Sequence, residues 1–266
     1  MSIKATILSL PKDAARRNAC GSELAQLGLS FEFIDGIAGS QLAEEVFDGI
    51  YDAELNRSVF KRPLNRNEVA CALGHRKIWR KIADGEQPIG FVLEDDATFL
   101  HDPRPFLTAL MQNAEQFEGV MIKMEGVSRS AGRVVGTVAD QSLILSDRLP
   151  PRTTGYIIGR QAAKNLLSFT ETIARPIDIN LKFYWEHRVP ILTLTKQLVN
   201  EREFTKSNIE SPRRDIKPGS PLSRFARNLI YQANFTYGRL THPLNPDSMD
   251  DLAPLRHVEG QIRASV

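Results

Sequence analysis

Three consecutive segments near the N-terminus most constrain the fold. "IKATILSL" (residues 3–10) suits a strand, and Pro11 ends it. "AARRNACGSELAQLG" follows, with Ala15, Ala19, Leu24 and Leu27 near helical spacing and Gly28 as a stop signal. "SFEFIDGI" then alternates Phe31 and Phe33 before Ile34, a second strand. Strand, helix and strand within about 35 residues form the ordinary unit of a parallel sheet. The alternation continues. "NRNEVACALGHRKIWRKIADG" reads as a helix closed by Gly85, and "IGFVLEDD" as a strand. "GVMIKMEG", "SLILSD" and "VPILTLTKQLV" read as further strands, and "TTGYIIGRQAAKNLLSF" as a strand feeding a helix. Residues 39–66 are mixed and polar, fit for loop and short helix. This order predicts an α/β layer fold over residues 1–200. From Glu201 the pattern thins, and Pro212, Pro218 and Pro221 mark a linker into a separate extension, residues 201–266.

Composition excludes several classes. The chain has 266 residues, 42% hydrophobic and 25% charged, enough for a substantial core. Its formal charge of +2 argues against a nucleic-acid partner. No apolar run approaches the ~18 residues of a membrane span, and the N-terminus reads as a strand rather than a signal peptide. Cys20 and Cys71 are the two cysteines, which give neither a metal spacing nor a disulfide framework, so a reducing cytoplasm is expected. The charge is uneven. Residues 1–195 carry a net −1, residues 196–240 a net +5, and residues 241–266 a net −2.

The strand "IGFVLEDD" ends on three adjacent carboxylates, Glu94, Asp95 and Asp96. Ligands of open α/β sheets bind at the carboxyl ends of strands. Three close carboxylates repel one another, so a folded site holds them best around a cation or solvent. Carboxylate oxygens suit Mg2+ and Mn2+, with phosphate and water completing the shell. Such an ion can bridge a diphosphate and stabilise it as a leaving group. A solvated acidic turn is the plainer reading of the same three residues. Glu94 and Asp96 share a face if the strand continues through them; if the turn begins at Glu94, that parity fails.

The helix before this strand carries Glu68, Cys71, His75 and Trp79. Together, helix and acidic strand end resemble glycosyltransferase family 25, the bacterial lipopolysaccharide and lipooligosaccharide galactosyltransferases with collagen galactosyltransferases as distant relatives. The opening "ARR" and "FEFIDGIAG", the segment "TTGYIIGRQAAKNLL" and the "RPID" ending at Asp178 resemble further family motifs, in order, from Ile3 to Val199. Three positions depart: Asn67 and Gly74 stand where the family has Gly and Ser, and Gly155 where it has Ala.

The resemblance implies a GT-A-like fold with a Rossmann-like nucleotide half and a mixed sheet. It implies transfer of a hexose, galactose first, from a UDP-sugar with inversion. Asp96 and Glu94 are the expected holders of Mn2+ or Mg2+, with Asp95 close by. Asp178 is the candidate base, although an Asp there can equally cap a helix; Glu125 and Glu186 stand behind it. His75 and Glu68 are candidate donor-binding residues, against a packed histidine and an N-terminal helix acid. Tyr156 either stacks on the donor or is a core aromatic, and Arg16 either meets the nucleotide or is solvated. The acceptor implied is a lipid-linked oligosaccharide. A metal-dependent nucleotidyltransferase is one rival, without the Gly-rich loop it needs near the N-terminus. A degenerate member that only binds glycan or scaffolds a partner is another, kept open by Asn67 and Gly74.

"SPLSRFARNLIYQANFTYGRL" places Leu222, Phe225, Leu229, Ala233 and Leu240 near helical spacing, with Arg224, Arg227 and Arg239 among them and Arg213, Arg214 and Lys217 upstream. A basic amphipathic helix suits an anionic membrane surface or packs on the domain with its basic face in water. The last 26 residues are Pro-rich and acidic, and partial disorder is expected there.

Overall fold

The computed structural model describes residues 3–126, 132–203 and 221–260. β1 (Ala5–Ser9), α1 (Ala14–Gln26) and β2 (Phe31–Asp35) form the expected opening unit, with both strands parallel. Two short helices, α2 (Glu44–Ile50) and α3 (Ala53–Val59), fill the polar stretch. α4 (Arg66–Ala83) is the expected long helix, and its start is fixed by a capping box. The Asn65 side chain accepts from the Glu68 N–H at 2.8 Å, and the Glu68 carboxylate accepts from the Asn65 N–H at 3.0 Å. Two otherwise orphaned donors are satisfied reciprocally.

The chain continues through β3 (Ile89–Glu94), β4 (Ala97–Phe99), α5 (Arg104–Gln112), β5 (Met121–Lys123), β6 (Arg133–Val138), β7 (Gln141–Leu145) and β8 (Gly155–Gly159). α6 (Arg160–Phe169), α7 (Ile177–Asn180), α8 (Tyr184–His187), β9 (Ile191–Leu194), β10 (Val199–Glu201) and α9 (Pro221–Thr241) complete it. Eight strands make one mixed sheet in the order β2-β1-β3-β8-β5-β9-β7-β6. β2, β1 and β3 run parallel, while β8 is antiparallel to both of its neighbours, β3 and β5. β4 and β10 form a separate antiparallel pair beside the acidic strand end.

The central strands β1, β3, β8, β5 and β9 are buried on both faces, while the edge strands β2 and β6 are partly exposed. Ile89, Phe91 and Leu93 of β3 and Ile157 of β8 face one apolar layer, against α1 and α5. Val92, Tyr156 and Ile158 face the other, beneath α4 and α6. The late apolar segment divides into β9 and β10, because the chain leaves the sheet between Leu194 and Val199 to pair with β4. The helix that Asp178 could cap is two separate turns, α7 and α8.

The C-terminal region corrects one expectation. Pro221 opens α9 rather than extending a linker, a place where its missing N–H costs nothing. Pro212, Pro218, Arg213, Arg214 and Lys217 lie outside the described residues. Within the acidic tail, Leu252 and Leu255 are buried in the same layer as Phe91, next to β6, so this part is held by apolar burial; residues 261–266 lie outside the described residues. Leu255→Ala should therefore cost about 2–5 kcal/mol in urea unfolding. A loss below about 0.5 kcal/mol, the level of a surface change, would contradict that placement. Among the described residues no helix is long and apolar enough to cross a membrane.

Candidate active site

Parallel strands β1, β2 and β3 end together, and a cleft of about 660 Å3 opens over their carboxyl ends. Its walls include Ser9, Lys12 and Arg16 from the β1 end, residues 36–40 after β2, Asn67 and Cys71 of α4, and Glu94 and Asp95. The volume is within the range of small-ligand sites. Lys12, Arg16 and Arg66 place three cationic side chains on its wall.

The three acids divide between two environments. β3 ends at Glu94 and the turn begins there, so the parity that would pair Glu94 with Asp96 fails. Asp95 and Asp96 instead share one guanidinium. Arg16 Nη1 donates to Asp95 Oδ1 at 3.0 Å and to Asp96 Oδ2 at 3.1 Å. The Ser9 hydroxyl donates to Asp95 Oδ2 at 2.6 Å. Asp96 Oδ1 is buried without a hydrogen-bond partner. Burial pushes the Asp96 carboxyl up to about 7, and the Glu94 charge adds to the effect. Burial likewise raises Asp95, against the bonds from Ser9 and Arg16.

Glu94 is held by a directional chain of hydrogen bonds. Trp79 Nε1–H donates to the Tyr156 oxygen at 2.9 Å, and that oxygen lies 2.8 Å from His75 Nδ1. An ionised carboxylate only accepts, so Nε2 carries the hydrogen toward Glu94 Oε1 at 3.2 Å. In the neutral ring Nδ1 is then the acceptor, and the tyrosine's own proton points to it. The Thr153 hydroxyl donates to the same oxygen at 2.6 Å. Burial opposes the Glu94 charge, but the bonds from His75 and Thr153 and the Lys123 charge outweigh it and hold this carboxyl below the usual range. Burial keeps Tyr156 well above the usual phenol range, so it stays a donor.

The segment before β8 gathers the remaining acids. Arg152 has φ of +80°, a strained backbone for a residue with a Cβ. Its surroundings over-determine it. Its N–H donates to Asp178 Oδ2 at 3.3 Å, its carbonyl accepts from Lys123 Nζ, and its side chain lies 3.1 Å from Glu201. The next residue, Thr153, binds Glu94, and the Gly155 N–H donates to Glu125 Oε2 at 3.2 Å. One strained segment thus sets Asp178, Glu94 and Glu125 relative to each other.

Sequence-predicted residues fall into distinct places. Arg16, Glu94 and Asp95 line the cleft, and Asp96 sits in the turn beside it. Asp178 is half-buried in the first turn of α7, whose N-cap is Pro176, so its carboxylate serves Arg152 rather than capping the helix. His75 is fully buried and reaches the site through Glu94. Tyr156 is also fully buried, which leaves its ring no face on which a base or sugar could stack. Glu68 is spent on the Asn65 cap and on Arg62, at 2.8 Å from Nη1. Both oxygens of Glu186 accept from Arg175, at 2.7 and 2.9 Å. Glu125 is buried at 2.8 Å from Lys123 Nζ, with its carboxyl raised by burial. None of Glu125, Glu186 and Asp178 is among the residues that line the cleft.

Gly74 does not face the cleft. A Cβ there would meet both methyls of Leu8 at 2.8 Å, so Gly74 lets α4 lie close on β1. Asn67 has a new partner instead, accepting from the Gly39 N–H at 2.9 Å and tying α4 to the loop after β2. Sequence reasoning missed Ser9, Thr153, Arg152 and Glu201. Two hydroxyls in "RTTGY", just ahead of a buried strand, were the one available signal.

A second group of donor atoms is close enough to hold an ion: Cys71, His75 and Glu94, all within 4.8 Å of one another. Its chemistry fits poorly. Burial pushes the Cys71 thiol well up, away from the thiolate a metal needs, and both nitrogens of His75 are already engaged. Asp96 fits a hard cation better, because one buried oxygen lacks a partner and the Arg16 guanidinium on its other oxygen is shared with Asp95.

The model of "Glycosyltransferase family 25 (LPS biosynthesis protein)" matches residues 2–181. A glycosyltransferase 25 family member of Aedes aegypti is 27% identical over 164 residues, covering 60% of this chain and 27% of that protein. Procollagen galactosyltransferase 2 of Homo sapiens is 32% identical over 182 residues, 66% of this chain and 26% of that one. The chain therefore spans about a quarter of the length of these two relatives. Lacto-N-neotetraose biosynthesis glycosyltransferase LgtB of Neisseria meningitidis serogroup B is 24% identical over 205 residues, 72% of this chain and 73% of that one. The matched region holds β1–β3, the capped helix α4, the acidic strand end and Asp178, and on that match the chain belongs to glycosyltransferase family 25.

Proposed function

We propose that this protein is an inverting glycosyltransferase that moves a hexose, galactose first among candidates, from a UDP-sugar to a terminal sugar of a lipopolysaccharide or lipooligosaccharide core. The observation that carries the reading is Asp96 Oδ1, buried and unpartnered beside a cleft of nucleotide size at the ends of three parallel strands. Galactose rests on the names of the procollagen relatives, and the glycan acceptor on the family description and on LgtB. The GT-A-like arrangement, a cytoplasmic location and the lipid-linked form of the acceptor belong to the same proposal.

Asp96 and Glu94 are the residues that would hold Mn2+ or Mg2+. When bound, the ion supplies charge that stabilises the departing diphosphate. Arg16 neutralises Asp95 and Asp96 together and keeps the acids from repelling the donor. His75 and Thr153 fix the Glu94 carboxylate in one orientation. Asp178 accepts the proton of the acceptor hydroxyl as its oxygen bonds to the anomeric carbon. The bond from that carbon to the phosphate oxygen breaks, and its electron pair leaves with UDP. Inversion requires the attack to come from the face opposite the diphosphate.

The test is UDP release by the purified chain from a panel of nucleotide sugars, with Mn2+ and with EDTA. Metal-dependent release from one UDP-hexose is expected, and it names the donor. Equal release in EDTA would remove the metal from the account. Absence of both release and calorimetric binding of UDP with Mn2+ would favour a non-catalytic family member.

A further inference from the structure

α9 meets the rest of the protein with an unexpected face. Tyr231 and Phe235 pack on Phe183 at ring separations of 6.0 and 5.4 Å, and Tyr231 also meets Phe60 at 5.6 Å. Two arginines that the sequence offered as a solvated basic face are turned inward. Arg227 donates to the Asn56 side chain at 2.8 Å and to the Phe60 carbonyl, and Arg239 binds Asp147. The apolar stripe is left outside. Leu222, Phe225, Leu229, Ile230, Tyr237 and Leu240 are between 46 and 77% exposed. They are six of the eleven large apolar side chains exposed among the described residues. At 100° per residue they occupy about 140° of the helix circumference, with only alanine and threonine filling the gaps.

We propose that this stripe docks the protein on an anionic lipid bilayer, with α9 lying in the plane of the interface. A charge-free apolar face over a full helix length suits insertion into the headgroup boundary. The segment that carries the stripe is basic in sequence: residues 196–240 hold a net +5 against −1 for residues 1–195, and Arg224 is exposed on α9. A second copy is the weaker occupant. One helix roughly 30 Å long and about 10 Å wide offers on the order of 300 Å2 per partner, well short of the ~800 Å2 of a stable interface. The inference stands on α9 alone and is independent of the chemistry at Asp96. It adds a reason for a lipid-linked acceptor to be met at the membrane surface.

The full chain is sedimented with phosphatidylcholine vesicles, with and without phosphatidylglycerol, alongside the triple variant L222E/F225E/L229E. These side chains are exposed, so the variant should keep the parent's Tm; Leu229→Glu alone serves if the triple variant does not fold. Binding to the anionic vesicles, weaker binding to the neutral ones and a loss of at least about tenfold in the variant are expected. No binding to anionic vesicles, or equal binding by the variant, would overturn the proposal. So would a concentration-dependent dimer in sedimentation velocity that the substitutions dissolve, since the stripe would then belong to a second copy. Calorimetric binding of UDP with Mn2+ to the same preparations reports separately on the active site, which these substitutions leave untouched.

Discussion

Asp96→Asn should stabilise the metal-free protein at pH 8 while abolishing sugar transfer. Burial, followed by the Glu94 charge, raises the Asp96 carboxyl to about 7 from its ordinary 3.8. The folded state therefore holds a proton that the unfolded state releases. That contribution to stability is complete below about pH 4 and is lost as pH rises through about 7. A difference of about three pKa units corresponds to up to about 4 kcal/mol. Asparagine carries no charge, so the stability gap between variant and parent should open across pH 4–7 and level off above. Urea midpoints at each pH measure it directly. Mn2+ should close the gap by stabilising the parent and leaving the variant unchanged. A gap independent of pH would mean that Asp96 is an ordinary solvated acid.

Tyr156→Phe should lose stability and turnover without weakening donor binding. The ring stays, but two buried groups lose their partner, the Trp79 N–H and His75 Nδ1. Each unsatisfied group costs about 1–3 kcal/mol, so a loss of about 2–6 kcal/mol is expected. The tautomer of His75 is also released. If the proton moves to Nδ1, the Nε2 lone pair faces the Glu94 carboxylate and repels it. We expect kcat to fall at least about tenfold, with KM for the donor changed by less than about twofold. Tyr156 is not among the residues that line the cleft, so a large rise in donor KM would mean that the ring stacks on the nucleotide. Trp79→Phe, which keeps the tyrosine–histidine bond, should lose less activity than Tyr156→Phe.

The sequence showed the alternation of strands and helices because burial imposes its period on both. It did not show that β8 runs against β3 and β5, since "GYIIG" is buried on both faces and reads the same in either direction. β6 escaped because it begins exposed, at Arg133 and Val134. The acids of the site were legible from residue type and strand end. Their partners were not, because Thr153 and Arg16 reach Glu94 and Asp96 from 59 and 80 residues away. Glu68, Glu125 and Glu186 show the same limit from the other side. Each is an acid of the right type, and each is taken by a basic residue nearby in sequence, Arg62, Lys123 or Arg175, a pairing that residue type alone does not reveal. Periodicity also gave α9 its amphipathic stripe, but not that Tyr231 and Arg227 would win the inner face. That outcome depends on Asn56 and Phe60 at α3 and on Phe183, in two other parts of the chain.

The central claim is that a divalent ion held by Asp96 joins this protein to a nucleoside diphosphate. Calorimetric titration of UDP into the parent and into Asp96→Asn, each with Mn2+ and with EDTA, tests it most directly. The account predicts UDP binding to the parent with Mn2+, and its loss or a drop of at least about tenfold both in EDTA and in the variant. Undiminished binding by the variant in Mn2+, or binding by the parent that EDTA leaves unchanged, would contradict it.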